Sequence, residues 1–282
     1  MSESHVLQSI SERSWRSGLA NLVRQENSRW WRARRWWVQS LIWFVTLNGI
    51  LVVSLWIMPA VGPGEATAGD VEASWEVNAR SEEAAAEGFG ALLLMMGILP
   101  VFGVLITTQG AIVGEKQSGT AAWIMSGPVS RVAFVLSKLV AHGVGFLVTV
   151  VVLQGLIAYV QMSLSVGRFL PPMPVVLALS LHALHLLFYL NLTLMLGTFF
   201  NSRGPVLAIP IAILIGQGIV ESLAKPSAPW FPWHILPEKL TRLSSIAARG
   251  NPLPSFVPIV SALAFSLVFI LLAIWRFERE EL

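Results

Sequence analysis

The chain has no cysteine among its 282 residues, which excludes a disulfide framework, thiolate metal ligation and a cysteine nucleophile together. Charge is scarce as well: Asp, Glu, Lys and Arg make up 12% of the residues, against about 25% in an ordinary soluble domain. Several catalytic signatures are missing. No Gly-x-Ser-x-Gly elbow, Walker A loop or His-Glu-x-x-His pair occurs, so serine acyl transfer, nucleotide hydrolysis and a zincin centre cannot be located on this chain. No repeat is visible at solenoid spacing, nor a pairing of the two halves of the kind common in secondary transporters.

Hydrocarbon fills the space instead. Hydrophobic residues are 55% of the chain and the mean hydropathy is +0.67. A helix needs about 20 apolar residues to cross about 30 Å of hydrocarbon. Six runs meet that need, near 36–58, 88–113, 132–161, 174–200, 204–224 and 255–275. The expected fold is all-α: a six-helix transmembrane domain over 36–282, with an interfacial helical segment at 1–35. A short helix is expected between helices 2 and 3, and an external helical segment between helices 5 and 6. The length of the leader and of the first run argues against a cleaved signal peptide, although Ala66 and Ala68 form an Ala-x-Ala pattern.

Basic residues set the expected orientation. Arg13, Arg16, Arg24, Arg29, Arg32, Arg34 and Arg35 precede the first run, and Trp36, Trp37 and Trp43 suit the inner headgroup level. With both ends in the cytoplasm, Lys116, Arg131, Lys138, Arg203, Arg276 and Arg279 join them inside. Six bases then fall outside: Arg80, Arg168, Lys225, Lys239, Arg242 and Arg249. That bias explains the net charge of +3 without nucleic acid, which is not an expected partner. The stretch 59–87 carries seven acids and reads as an external loop. Before the first run, Trp15, Leu19, Leu22, Val23 and Trp30 recur at helical spacing, as in a helix lying on the membrane surface. Leu236, Leu240, Leu243 and Ala247 make a similar stripe, read as an external helix on the outer leaflet.

Ionisable groups in or near the runs are candidates for function, because lipid opposes their burial. They are Lys138, His142, His182, His185 and Glu221. Lys138 can snorkel to the inner surface and Glu221 sits at a helix end. His182 and His185 share a helix face and with His142 could ligate a metal or haem, but a neutral histidine bonded to a neighbouring helix accounts for the same residues. Gly103, Thr107, Gly110 and Gly114 form a small-residue face suited to close helix packing, within the chain or with a second copy.

The most specific stretch is Gly114-Glu115-Lys116-Gln117-Ser118-Gly119-Thr120-Ala121-Ala122-Trp123-Ile124-Met125-Ser126-Gly127-Pro128-Val129-Ser130-Arg131. A short helix should start at Gly119-Thr120 and stop before Pro128, with Ser130 capping the third run. An acid and a base after a run, then Gly-Thr, a short apolar helix, a Ser-x-Pro-Val-Ser-Arg turn and Lys138 resemble the membrane subunits of type-2 ABC exporters.

The resemblance implies a transmembrane permease subunit without an ATPase site of its own, in the cell membrane. It implies a separate cytoplasmic ATP-binding subunit, which holds ATP and Mg, and a second permease copy or related subunit in the bilayer. It makes the segment 119–128 a coupling helix, with Glu115, Lys116, Gly119, Thr120, Trp123, Pro128 and Arg131 as the residues that engage the ATP-binding subunit. Two other readings remain open at this level: a histidine-dependent membrane metal or haem protein, and an ion-coupled secondary transporter.

Overall fold

The computed structural model describes residues 16–32, 35–58, 73–224, 229–235 and 243–281, and among them every regular element is helical. Among the described residues six helices are long and apolar enough to cross a membrane. They are span 1 (Trp36–Ile57), span 2 (Arg80–Gln117), span 3 (Arg131–Val166), span 4 (Pro172–Phe199), span 5 (Arg203–Leu223) and span 6 (Val257–Glu278). An amino-terminal helix, Leu19–Arg32, precedes them. Six crossings leave that helix, the 2–3 segment, the 4–5 turn and the chain end on one face, and the 3–4 turn and the 5–6 segment on the distal face.

Span 4 is the centre of the bundle and packs against spans 2, 3, 5 and 6. The reason is its composition: no Asp, Glu, Lys or Arg occurs between Pro172 and Phe199, and a helix apolar all round is a buried helix. Pro172 presets its first turn, where a missing N–H costs nothing. Span 5 is the least covered, with Ile215, Ile219 and Leu223 on one exposed face.

Spans 1 and 3 leave α geometry where they meet. Span 1 is π-helical at Phe44–Asn48 and Val53–Ile57, and span 3 at Leu147–Val152. A π turn frees backbone carbonyls, and the buried Gln154 collects two: its amide donates to Thr149 O at 3.1 Å and to Ser40 O at 3.1 Å. The Asn48 amide donates to Gln154 Oε1 at 2.8 Å, which fixes the register of span 1 on span 3.

The distal face departs from expectation in two places. The helix that becomes span 2 starts at Ala73, so Glu82, Glu83 and Glu87 lie on a helix; residues 59–72 of the acidic stretch lie outside the described residues. The run Glu82-Glu83-Ala84-Ala85-Ala86-Glu87 consists of strong helix formers, and Ala85 and Phe89 bury the helix on the bundle. Between spans 5 and 6 the short helix Leu243–Ala248 packs on spans 2 and 4, burying Leu243 and Ala247, where the stripe alone suggested an outer leaflet. Leu236 and Leu240 lie outside the described residues.

Candidate functional site

The 2–3 segment forms two short helices, Val113–Gln117 and Thr120–Met125, joined through Ser118 and Gly119. Gly119 takes φ 73°, a left-handed backbone that strains any L side chain, so glycine is what permits the second helix to start there. Six residues cannot sustain a helix alone. This one is held by its buried side: Ala121 is fully covered, and Ile124, Met125 and Val129 pack on the core. Trp123 points the other way and is 76% exposed. Ser126 Oγ closes the helix by donating to Trp123 O at 2.7 Å, and after Pro128 the Ser130 hydroxyl caps span 3 by accepting from Ala133 N at 3.0 Å.

The charges flanking this helix face inward. Lys138 is 2% exposed; its Nζ donates to Glu26 Oε1 at 2.7 Å and also bonds Glu115 Oε1. Arg29 reaches the same two carboxylates, at 3.2 and 3.1 Å. Lys138 therefore does not snorkel to the surface: two largely covered acids, with side chains 10% and 14% exposed, meet it where it stands, and pairing offsets the cost of its desolvation. Lys116 Nζ contacts Glu280 Oε1 at 2.8 Å and donates to Thr198 O at 3.2 Å, while Gln117 donates to Asn201 O at 2.7 Å. Arg131 donates to the carbonyls of Phe277, Glu278 and Glu280 at 3.1, 2.6 and 2.7 Å, a cation on the last carbonyls of span 6 and on one just past its end.

Glu115, Lys116 and Arg131 thus tie the exposed helix to the amino-terminal helix, the 4–5 turn and the end of span 6. The partners Glu26, Arg29 and Glu280 were not among the residues singled out from sequence. One signal was available: Glu26 is the single acid in an arginine-rich helix, spaced i+4 from Leu22 and i−4 from Trp30 on its buried side. That helix packs on the first half of span 3, with the Trp30 indole lying on Gly145 so closely that a Cβ there would sit 2.3 Å away. Its stripe therefore meets protein; Trp15 lies outside the described residues.

The small-residue face of span 2 looks onto the same chain. Gly103 accommodates the Trp43 ring, Thr107 Oγ1 accepts from the Gln39 amide at 3.3 Å, and Gly110 and Gly114 face the Arg203 guanidinium. Span 1, span 2, Arg203 and the amino-terminal helix enclose a cavity of about 610 Å³ that includes Glu26, Glu115 and Lys138 in its wall.

His182 and His185 are neighbours on span 4, and His142 stands on span 3. His182 lies with Nδ1 2.9 Å from Ala178 O and Nε2 2.9 Å from Leu93 O, so backbone carbonyls face both ring nitrogens. His185 is stacked edge-on against Tyr189, and His142 lies on span 3 with Nδ1 2.9 Å from Lys138 O and its ring edge-on to Trp30. Among the described residues no group of three His, Cys, Asp or Glu side chains could hold a metal ion. Glu221, at the distal end of span 5, lies 3.6 Å from His234 Nδ1.

Comparison with known proteins agrees with this architecture. Residues 20–282 match the model of a family described as ABC-2 family transporter protein. The chain is also similar to the uncharacterized transmembrane protein YxlG of Bacillus subtilis (strain 168), 27% identical over 186 residues, which cover 63% of this chain and 67% of that protein. The family match takes in the amino-terminal helix, all six spans and the braced 2–3 segment, and the chain accordingly belongs to the ABC-2 transporter family, as the multi-pass membrane component of an ABC transporter.

Proposed function

We propose that the chain is the permease subunit of an ATP-driven exporter, with both termini cytoplasmic in the cell membrane and Thr120–Met125 as the contact for a separate ATP-binding subunit. The observation that carries this reading is the contrast within one short segment. Trp123 projects from a six-residue helix, while the residues on either side of it are tied to three other parts of the fold. A load applied at Trp123 would pass through Glu115 and Lys138 to the amino-terminal helix and span 3, through Gln117 to the 4–5 turn, and through Lys116 and Arg131 to span 6. The basic amino-terminal segment supports an inside location for this face. ATP and Mg belong to the partner, and two permease copies share the complex; the exposed apolar stripe of span 5 supports such pairing.

Two substitutions separate docking from bracing. Trp123→Asp removes a projecting indole without touching the core, so it should abolish co-purification of the ATP-binding subunit while leaving the permease's unfolding midpoint unchanged. Arg131→Glu should preserve co-purification but uncouple ATP hydrolysis from transport in reconstituted vesicles, because the end of span 6 is released. If the Trp123→Asp permease retained its ATP-binding partner and its cargo-dependent hydrolysis, the coupling assignment would be wrong.

A further inference from the structure

The cavity beside the amino-terminal helix has a charge balance that selects a ligand. In its wall, Arg29 and Lys138 are both bonded to Glu26 and Glu115, so two cations and two carboxylates neutralise one another. Arg203 is left over. Among the described residues its guanidinium makes no hydrogen bond and no ion pair; it lies over Gly110 and Gly114, where a Cβ would be 3.6 Å from it. The two glycines form a flat floor under this exposed guanidinium, which faces the cavity.

The remaining wall is mixed: Gln39, Thr107, Gln109 and His142 are polar, and Val38 and Ile42 of span 1 with Ile106 of span 2 supply its apolar side. These three are 40%, 50% and 63% exposed, and they stand on membrane spans, so the cavity opens sideways toward lipid. Its volume of about 610 Å³ falls within the ~300–1,000 Å³ of small-molecule sites. One unpaired cation at headgroup depth, beneath an apolar wall that continues into the membrane, matches a molecule with one negative charge at the end of a hydrocarbon tail.

We infer that this cavity binds an amphiphile bearing a single anionic head group, held by Arg203, with its tail along Val38, Ile42 and Ile106. This deepens the export reading by naming a class of cargo, and rests on that reading for the cavity's place in transport. Binding itself needs no ATP-binding subunit, so the two stand or fall separately: Trp123→Asp tests the coupling, and the following tests the site.

The full-length permease in a neutral maltoside detergent is mixed with dihexanoyl-phosphatidylglycerol, dihexanoyl-phosphatidylcholine or inorganic phosphate, and retention is read by native mass spectrometry. The phosphatidylglycerol should be retained about tenfold more tightly than the phosphatidylcholine, the worth of one charge-assisted hydrogen bond. Arg203→Ala should erase that preference. Arg249→Ala, which removes an exposed cation on the distal face, should leave it intact. Arg203→Glu should shift the preference to dodecyltrimethylammonium. Equal retention of the two lipids, or a preference that survives Arg203→Ala, overturns the inference. Inorganic phosphate competing as well as the phosphatidylglycerol also overturns it, since the site would then hold an ion without using the apolar wall.

Discussion

On the face that carries the amino-terminal helix, Lys138 is buried between Glu26 and Glu115, and Glu280 is buried against Lys116 and Arg276. On the distal face the ion pair Glu82–Arg168, 2.7 Å long, joins side chains that are 47% and 57% exposed. The same kinds of residue serve in both places, yet a pair in water exchanges hydration for contact at little gain, whereas a buried set punishes the loss of any member. One end of the bundle is therefore tied by buried charge, whereas this distal pair adds little to the apolar packing of Leu243–Ala248 that holds the other end.

The comparison breaks most sharply at Lys138. Lys138→Met would leave the largely covered Glu26 and Glu115 with only the half-exposed Arg29 for a partner, and should destabilise the protein by about 2–3 kcal/mol in detergent unfolding, below the full cost of a broken buried pair. Adding Glu26→Gln and Glu115→Gln to it should recover most of the loss, because no unpaired charge then remains. If the triple variant were as unstable as the single one, the lysine would matter for its shape and not for its charge.

A second test keeps the charges and moves the helix. Gly145→Val places a branched side chain where the Trp30 ring already lies, since even a Cβ would be 2.3 Å from it. Overpacking of this kind costs about 1–3 kcal/mol. Hydrogen exchange should rise along Leu19–Arg32 and stay unchanged at the Asn48–Gln154 contact, which ties span 1 to span 3 independently. Combining it with Trp30→Ala should restore protection.

The contrast between the faces also explains what could be read in advance. Span number and the short helix after Gly119 follow from local pattern: apolar runs bounded by charge, and a Gly-Thr start with a Pro stop. Ser130 was legible as a cap because capping spans three residues. The brace was not, because Lys138–Glu26 and Arg131–Glu278 join residues more than a hundred positions apart, and a snorkelling lysine and a buried one have the same sequence. The start of the span 2 helix was hidden for the opposite reason: its acids suggested a loop, while the alanines between them carry the helix.

The smallest effect is expected at the distal pair. Arg168→Ala removes one exposed cation from an exposed carboxylate, and the unfolding midpoint should change by less than about 0.5 kcal/mol, the range of surface pairs, with the effect fading further at high salt. Glu82→Ala should match it, and the double variant should lose little more than either single one, because each single change already breaks the same pair. A loss approaching that of Lys138→Met would mean that the 3–4 turn is clamped to span 2 as firmly as the other face is braced.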